Sequence, residues 1–467
     1  MGNKDKRITE LETQLKFALE ENERLRAEII KLKDKIDSLN KTSKNSHKPP
    51  SSDIVDSPKT GDIQNQEQKK GAKFGHKQHL RKPFDKIEVH ETFVIDLKTC
   101  PVCEGKLQAS NESPEVHQRI ELVEKPFIVT EYIRPWYWCD YCKCFHIAKL
   151  PQEVEKSGFF GPKLIAFTAY LKGRCHMSYK TIKDFFADTF KLNVSTGFLA
   201  KQVHKASEAI AIPYNELKSH LPEEKHLHID ETGGKENGDK RWNWCFRAEK
   251  FTVFHINKSR GSEVLEKILG KDFGGIISCD FWGAYRKFSG LSLAVLQFCW
   301  AHLIREVKFF AGSGRKEVSS YGERMLVAIK MMFNTIHQRD LISEREWILR
   351  MEKHREMIMW ESWEDIPDDS DVENIAERLW EWQEEYFCFI YHKIPPTNNL
   401  GEQSIRRIVI DRKITQGTRS DWGNHWMERF WSVLSTCEQQ GKNVMVFLNT
   451  CIESYLHGHA PPSLLNN

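Results

Sequence analysis

Residues 226–234 read HLHIDETGG. Leu227 and Ile229 alternate with polar residues, as in a half-buried strand, and the run ends in Asp230 and Glu231. Gly233-Gly234 then reads as a turn. A carboxylate at the end of a strand is either the solvated end of a hairpin or a ligand for a metal ion. The segments on either side decide between the two.

A second turn signal stands at Asn237-Gly238, and RWNWCFR (241–247) and FTVFHI (251–256) alternate after it. These two runs continue the 226 strand as an antiparallel meander, with Trp242 and Trp244 as core on one sheet face. A helix is expected over Ser262–Leu269. GGIISCDFWGAY then gives a short buried strand ending in Asp280, and LAVLQFCWAHLIREVKFF a strand running into a helix. Three hairpin-linked strands, a helix and a returning strand match a ribonuclease-H-like α/β order. In that order the first and fourth strands are neighbours, so Asp230 and Asp280 are expected to be close enough to share a metal.

A third acid, Glu402, lies in PPTNNLGEQSIRRIVIDRKI, with 121 residues between it and Asp280. Pro395-Pro396 ends whatever precedes, and a helix begins near Asn398. Glu402, Arg406 and Lys413 share a face of that helix at i, i+4 and i+11. Asn399-Leu400-Gly401-Glu402 also has capping-box spacing, in which Glu402 would fold back on the backbone. The intervening residues, about 316–392, read as an all-helical insertion with a stripe of Tyr321, Leu326, Ile329, Met332 and Ile336. Residues 361–385 carry eleven acids against one arginine, a run with no evident reason in the sequence.

The chain has 467 residues, 40% hydrophobic and 29% charged, and a net charge of only +3. No global basic field forces nucleic-acid binding, but residues 41–82 hold ten Lys/Arg against four Asp/Glu, which suits a polyanion. That stretch is rich in Ser, Pro, Gly and Lys, so 41–85 reads as a disordered basic linker. Before it, Ile8, Leu15, Asn22, Ile29 and Ile36 alternate with Leu11, Ala18, Leu25, Leu32 and Leu39 in a heptad seam. β-Branched residues at a, Leu at d and one Asn favour a parallel two-stranded coiled coil over 1–40, and hence a homodimer or higher oligomer. No apolar run is long enough to span a bilayer and MGNKDKRITE has no signal core, so a cytoplasmic protein is expected.

In that compartment the twelve cysteines are mostly reduced. Cys100-x-x-Cys103 and Cys139-x-x-Cys142, 35 residues apart, can place four thiolates around a structural zinc in a domain over 86–156. Cys144 and His146 are read as bystanders. Residues 157–222 read as a helical DNA-binding region resembling a helix-turn-helix, with a break at Lys191-Leu192-Asn193 and Ser195 or Thr196 capping the second helix.

HIDET, SCDFWGAY, FCWAHLIREVK and TNNLGEQSIRRIVIDRKITQGTRS together resemble the insertion-sequence-66 transposase family. Gln403 departs from it, since many members carry Arg there. The resemblance implies a multidomain α/β DNA transposase with a ribonuclease-H-like catalytic core over 223–435 and a C-terminal tail over 436–467. Its Asp-Asp-Glu triad falls on Asp230, Asp280 and Glu402. These are expected to hold two Mg²⁺ or Mn²⁺ ions, with Asp230 bridging both. Arg406, Arg407, Arg412 and Lys413 follow Glu402 and read as phosphate contacts rather than a merely solvated face. His302 is left outside the catalytic set. Expected partners are transposon ends and target DNA, with small accessory proteins of the same element admitted, in a nucleoid-associated setting. Two other readings stay open: an inactive DNA-binding regulator of the same ancestry, and a plain zinc and coiled-coil interaction module. Three intact acids weigh against both.

Overall fold

The structure, a computed structural model, describes residues 84–465 apart from 96, 98, 100, 105, 107–113, 115, 121, 124 and 125. The coiled coil expected over 1–40, and all but Phe84 and Asp85 of the basic linker, lie outside the described residues.

A hairpin of β1 (Trp136–Cys139) and β2 (Cys144–Ile147) carries the second cysteine pair. Helices α1 (Gln152–Ser157), α2 (Pro162–Gly173), α3 (Tyr179–Phe190), α4 (Thr196–Ala209) and α5 (Ala211–His220) follow. Lys191 ends α3 in the left-handed region, and the Ser195 hydroxyl accepts from the Phe198 amide at 3.1 Å to start α4. One face of α4 is buried through Leu199, Gln202, Val203 and Ala206, while Lys201 and His204 remain exposed.

The sheet contains β3 (His226–Glu236), β4 (Asp239–Arg247), β5 (Thr252–Asn257), β6 (Ile276–Cys279) and β7 (Val295–Phe298) in the order β5-β4-β3-β6-β7. β3, β4 and β5 are antiparallel, and β6 and β7 add on in parallel. Between β5 and β6, α6 (Ser262–Leu269) buries Val264, Leu265, Ile268 and Leu269, spacing that puts all four on one face.

Gly233-Gly234 is not a turn. β3 runs through it and pairs with β4 as far as Glu236 opposite Asp239, and the chain reverses at Asn237-Gly238, both with positive φ. Gly234 is there for proximity. A Cβ on Gly234 would sit 2.4 Å from the Asn243 amide nitrogen, and the Gly233 carbonyl accepts from Arg412.

After β6 come α7 (Gly283–Ser289) and, beyond β7, α8 (Trp300–Ala311). Then α9 (Lys316–Ile336), α10 (Glu344–Trp363), α11 (Ser370–Glu381) and α12 (Gln383–Phe387) fill the long interval before the third acid. Its return is fixed by hydrogen bonds. The Trp300 indole and the Gln297 amide donate to the Tyr386 carbonyl at 2.6 and 3.1 Å, and the Trp300 amide donates to Pro396 at 3.1 Å. The acidic run is partly accounted for: Asp369 caps α11 and pairs with Arg315, and Glu361 pairs with Arg324 at 3.1 Å.

The chain ends in α13 (Asn399–Thr415), α14 (Asp421–Gln439) and α15 (Val444–His457). The region read as a tail thus forms a helix, with Phe447, Leu448, Cys451, Ile452 and Leu456 buried. α14 closes the sheet edge. The outward amides of Thr252, Phe254 and Ile256 donate to Thr436, Ser432 and Glu428 at 3.1, 2.8 and 2.7 Å. Two strand residues advance about 6.6 Å and four helix residues about 6 Å, so the two rows stay in step. Ser432→Ala leaves the buried Phe254 amide without its acceptor and is expected to cost about 1–3 kcal/mol, read by chemical denaturation.

Candidate active site

The register of the parallel pair sets the site. His226, Leu227 and His228 face Ile276, Ile277 and Ser278, and one further step of two residues brings Asp230 opposite Asp280. The ladder stops before that step, so both carboxylates stand where the two neighbouring strands open. Each is tied locally: Asp230 Oδ1 accepts from the Glu231 amide at 2.9 Å and Asp280 Oδ1 from the Trp282 amide at 3.1 Å.

Glu402 arrives on the first turn of α13, and Asn398 positions that turn. The Asn398 side chain donates to the Ile229 carbonyl at 2.7 Å and meets His228 Nδ1 at 3.0 Å, while its amide donates to Cys299 Sγ at 3.1 Å. One buried asparagine thus fastens the start of α13 to the strand bearing Asp230 and to the end of β7. Glu402 does not fold back as a capping box. Its two oxygens accept from Arg305 at 3.1 and 3.2 Å, and His302 Nδ1 lies 3.7 Å away.

The charges act on one another. Burial, then the charges of Glu231, Asp280 and Glu402, push the Asp230 carboxyl up to about 8. Burial and Glu231 raise Asp280 to about 6, against the pull of Arg260. Burial lowers His226 to about 4 and His228 to about 3, so both stay neutral.

Glu231 has a role that the sequence does not reveal. Its side chain is 1% exposed; Oε1 accepts from Arg260 Nε at 2.7 Å and Oε2 from the Tyr285 hydroxyl. A buried carboxylate needs such partners. No periodicity marks it, because it points to the face of β3 opposite Asp230.

The three acids supply only oxygen donors, in a place where their mutual repulsion calls for a cation, and this suits a hard divalent ion. Their ligand atoms do not all fall within 4.8 Å of one another, whereas those of Cys299, His302 and Glu402 do. The Cys299 thiol, however, is held un-ionised by burial, which pushes it up to about 12, and it already accepts from the Asn398 amide. That trio therefore reads as a structural cluster around Glu402 and not as a thiolate metal site.

Of the cations expected to meet phosphate, Arg406 and Lys413 are exposed on the Glu402 face of α13. Arg407 instead pairs with Glu438, and Arg412 donates to the Gly233 carbonyl.

At the zinc segment, Cys139, Cys142 and His146 bring their ligand atoms within 4.8 Å of one another. Cys142 Sγ is 3.0 Å from both His146 Nε2 and Cys144 Sγ. His146, read as a bystander, is turned by the β1–β2 hairpin back onto the Cys139–Cys142 knuckle, with Cys144 beside Cys142. Cys103 is exposed and outside this group, and Cys100 lies outside the described residues. Glu104 and Lys143, each just after a knuckle, share positive φ, a turn that lets thiolates converge. His146→Ala is expected to weaken zinc retention roughly 100-fold or more, measured as metal content after dialysis against a chelator. Unchanged content would remove His146 from the ligand set.

No helix of the described residues is long and apolar enough to cross a membrane. A model of the transposase IS66 family matches residues 157–425, and one of the zinc-finger binding domain of transposase IS66 matches 98–143. A family of unknown function matches 3–82. The uncharacterized protein y4hP of Sinorhizobium fredii (strain NBRC 101917 / NGR234) is 24% identical over 404 residues, covering 78% of this chain and 72% of its own.

Proposed function

Because the chain belongs to the transposase IS66 family, we propose that Asp230, Asp280 and Glu402 form the centre of a DNA strand-transfer enzyme on a ribonuclease-H-like core. The observation that carries this reading is the β3–β6 register, which brings Asp230 beside Asp280, together with the electrostatic reach of Glu402 to Asp230. When bound, two Mg²⁺ or Mn²⁺ ions would supply Lewis-acid stabilisation of the attacking and leaving oxygens of an in-line displacement.

The residues divide the work. Asp230, at the strand opening, would hold metal together with Asp280 and Glu402, which flank it. Arg305 orients Glu402. The exposed Arg406 and Lys413 take phosphates of the strand passing α13, while Arg407 and Arg412 hold α13 in place. Water attacks phosphorus at the transposon end, the phosphorus–O3′ bond breaks, and the departing oxygen takes a proton to become a 3′-hydroxyl. That hydroxyl then attacks a target phosphodiester, forming a new phosphorus–oxygen bond and displacing the target's own 3′-oxygen. Cys139, Cys142 and His146 would hold a zinc ion, which would stabilise the segment at the β1–β2 hairpin. The setting is the cytoplasmic nucleoid, in an assembly of at least two copies.

The test is incubation of the full chain with labelled terminal DNA and Mg²⁺, mapping nicks at nucleotide resolution. Cuts at the element ends that need all three acids support the reading. Absence of cutting under conditions where the protein binds the ends would favour the non-catalytic regulator.

A further inference from the structure

Trp282 lies two residues beyond Asp280 and is 42% exposed. Large aromatic rings are normally buried, because burial is their main contribution to stability. This ring is also held rigidly. The Arg260 guanidinium stacks on it 3.8 Å from the ring centre, and its indole N–H meets the Arg260 carbonyl at 3.4 Å. Arg260 in turn lies 4.7 Å from the Trp242 ring centre and is bonded to the buried Glu231. The Trp282 amide closes on Asp280 Oδ1. A buried ion pair, a second tryptophan and a backbone bond thus converge to present one indole to solvent beside a candidate metal ligand.

We propose that Trp282, braced by Arg260, is a stacking platform for the nucleobase adjoining the scissile phosphate. The proposal rests on reading Asp230, Asp280 and Glu402 as the strand-transfer centre. At the end of a cut strand the base adjoining the phosphate is free to leave its own stack. A fixed indole replaces the lost stacking without reading sequence, since every base has a π-face. The guanidinium beneath the ring adds a cation to the same stack. The ligand class is therefore an unpaired nucleotide of the cut strand.

The experiment uses the full chain with Ca²⁺ in place of Mg²⁺, so that the DNA stays uncut. The probe is a 30-base-pair duplex with a four-nucleotide 3′ overhang carrying 2-aminopurine at each overhang position in turn. One position is expected to be quenched on binding. Trp282→Ala should abolish that quenching and weaken binding roughly 5- to 100-fold, whereas Trp282→Phe should retain most of both. An abasic site there should weaken wild type by a similar factor but add nothing in Trp282→Ala. Equal quenching in wild type and Trp282→Ala, or fully additive losses, would overturn the proposal. The two readings fail separately. Trp282-dependent quenching in a protein that never cuts with Mg²⁺ would sink the strand-transfer assignment alone. Normal cutting and affinity in Trp282→Ala would sink the platform alone.

Discussion

Asp230→Asn, Asp280→Asn and Glu402→Gln are each expected to lower Mg²⁺-dependent cleavage of terminal DNA by roughly 10³-fold or more, with DNA binding nearly unchanged. Metal ligation supplies several kcal/mol of transition-state stabilisation, and each 1.36 kcal/mol is a factor of ten. The replacements keep shape. Asp230→Asn retains the side-chain oxygen that accepts from the Glu231 amide, and Glu402→Gln retains one that accepts from Arg305. Folding should therefore survive where catalysis does not. Cleavage within a few-fold of wild type in any one of them would remove that residue from the triad.

The second large effect is on stability. With no divalent ion bound, Asp230 is raised from the ordinary 3.8 to about 8. Between those values the folded protein keeps a proton that the unfolded chain has released, so stability falls as pH rises and the loss is complete above about 8. Asp280 adds a similar loss that ends near 6. From pH 6 to 8 only Asp230 of the two still titrates, and the buried His226 and His228 are already neutral. The expected loss over that interval is about 2–3 kcal/mol, or roughly 3–5 °C in melting temperature for a chain of this size. Mg²⁺ should restore most of it at pH 8 and little at pH 6. Asp230→Asn should flatten both the pH slope and the Mg²⁺ response while raising metal-free stability at pH 8. Equal pH slopes in wild type and Asp230→Asn would contradict the burial of Asp230 and the neighbouring carboxylate charges that raise it.

The sequence by itself determined whatever is written in a short window. Alternation in RWNWCFR and FTVFHI, the Asn237-Gly238 turn and the Ser195 cap depend on residues within a few positions of one another. The order of strands and helices followed, and with it the adjacency of β3 and β6. The motif around Glu402 was legible because its resemblance is specific, although its side chain had two local readings. Tertiary structure chose between them, since Arg305, 97 positions away, takes the carboxylate. Only the fold showed that Gly234 serves close approach, that His146 turns onto Cys142, and that Arg407 and Arg412 are engaged inside the protein. Glu231 gained its role in the same way, through Arg260 and Tyr285. Backbone preference is decided by neighbours in the chain, whereas the partner of a charged or polar side chain is decided by what distant segments deliver to the same small volume once water is excluded.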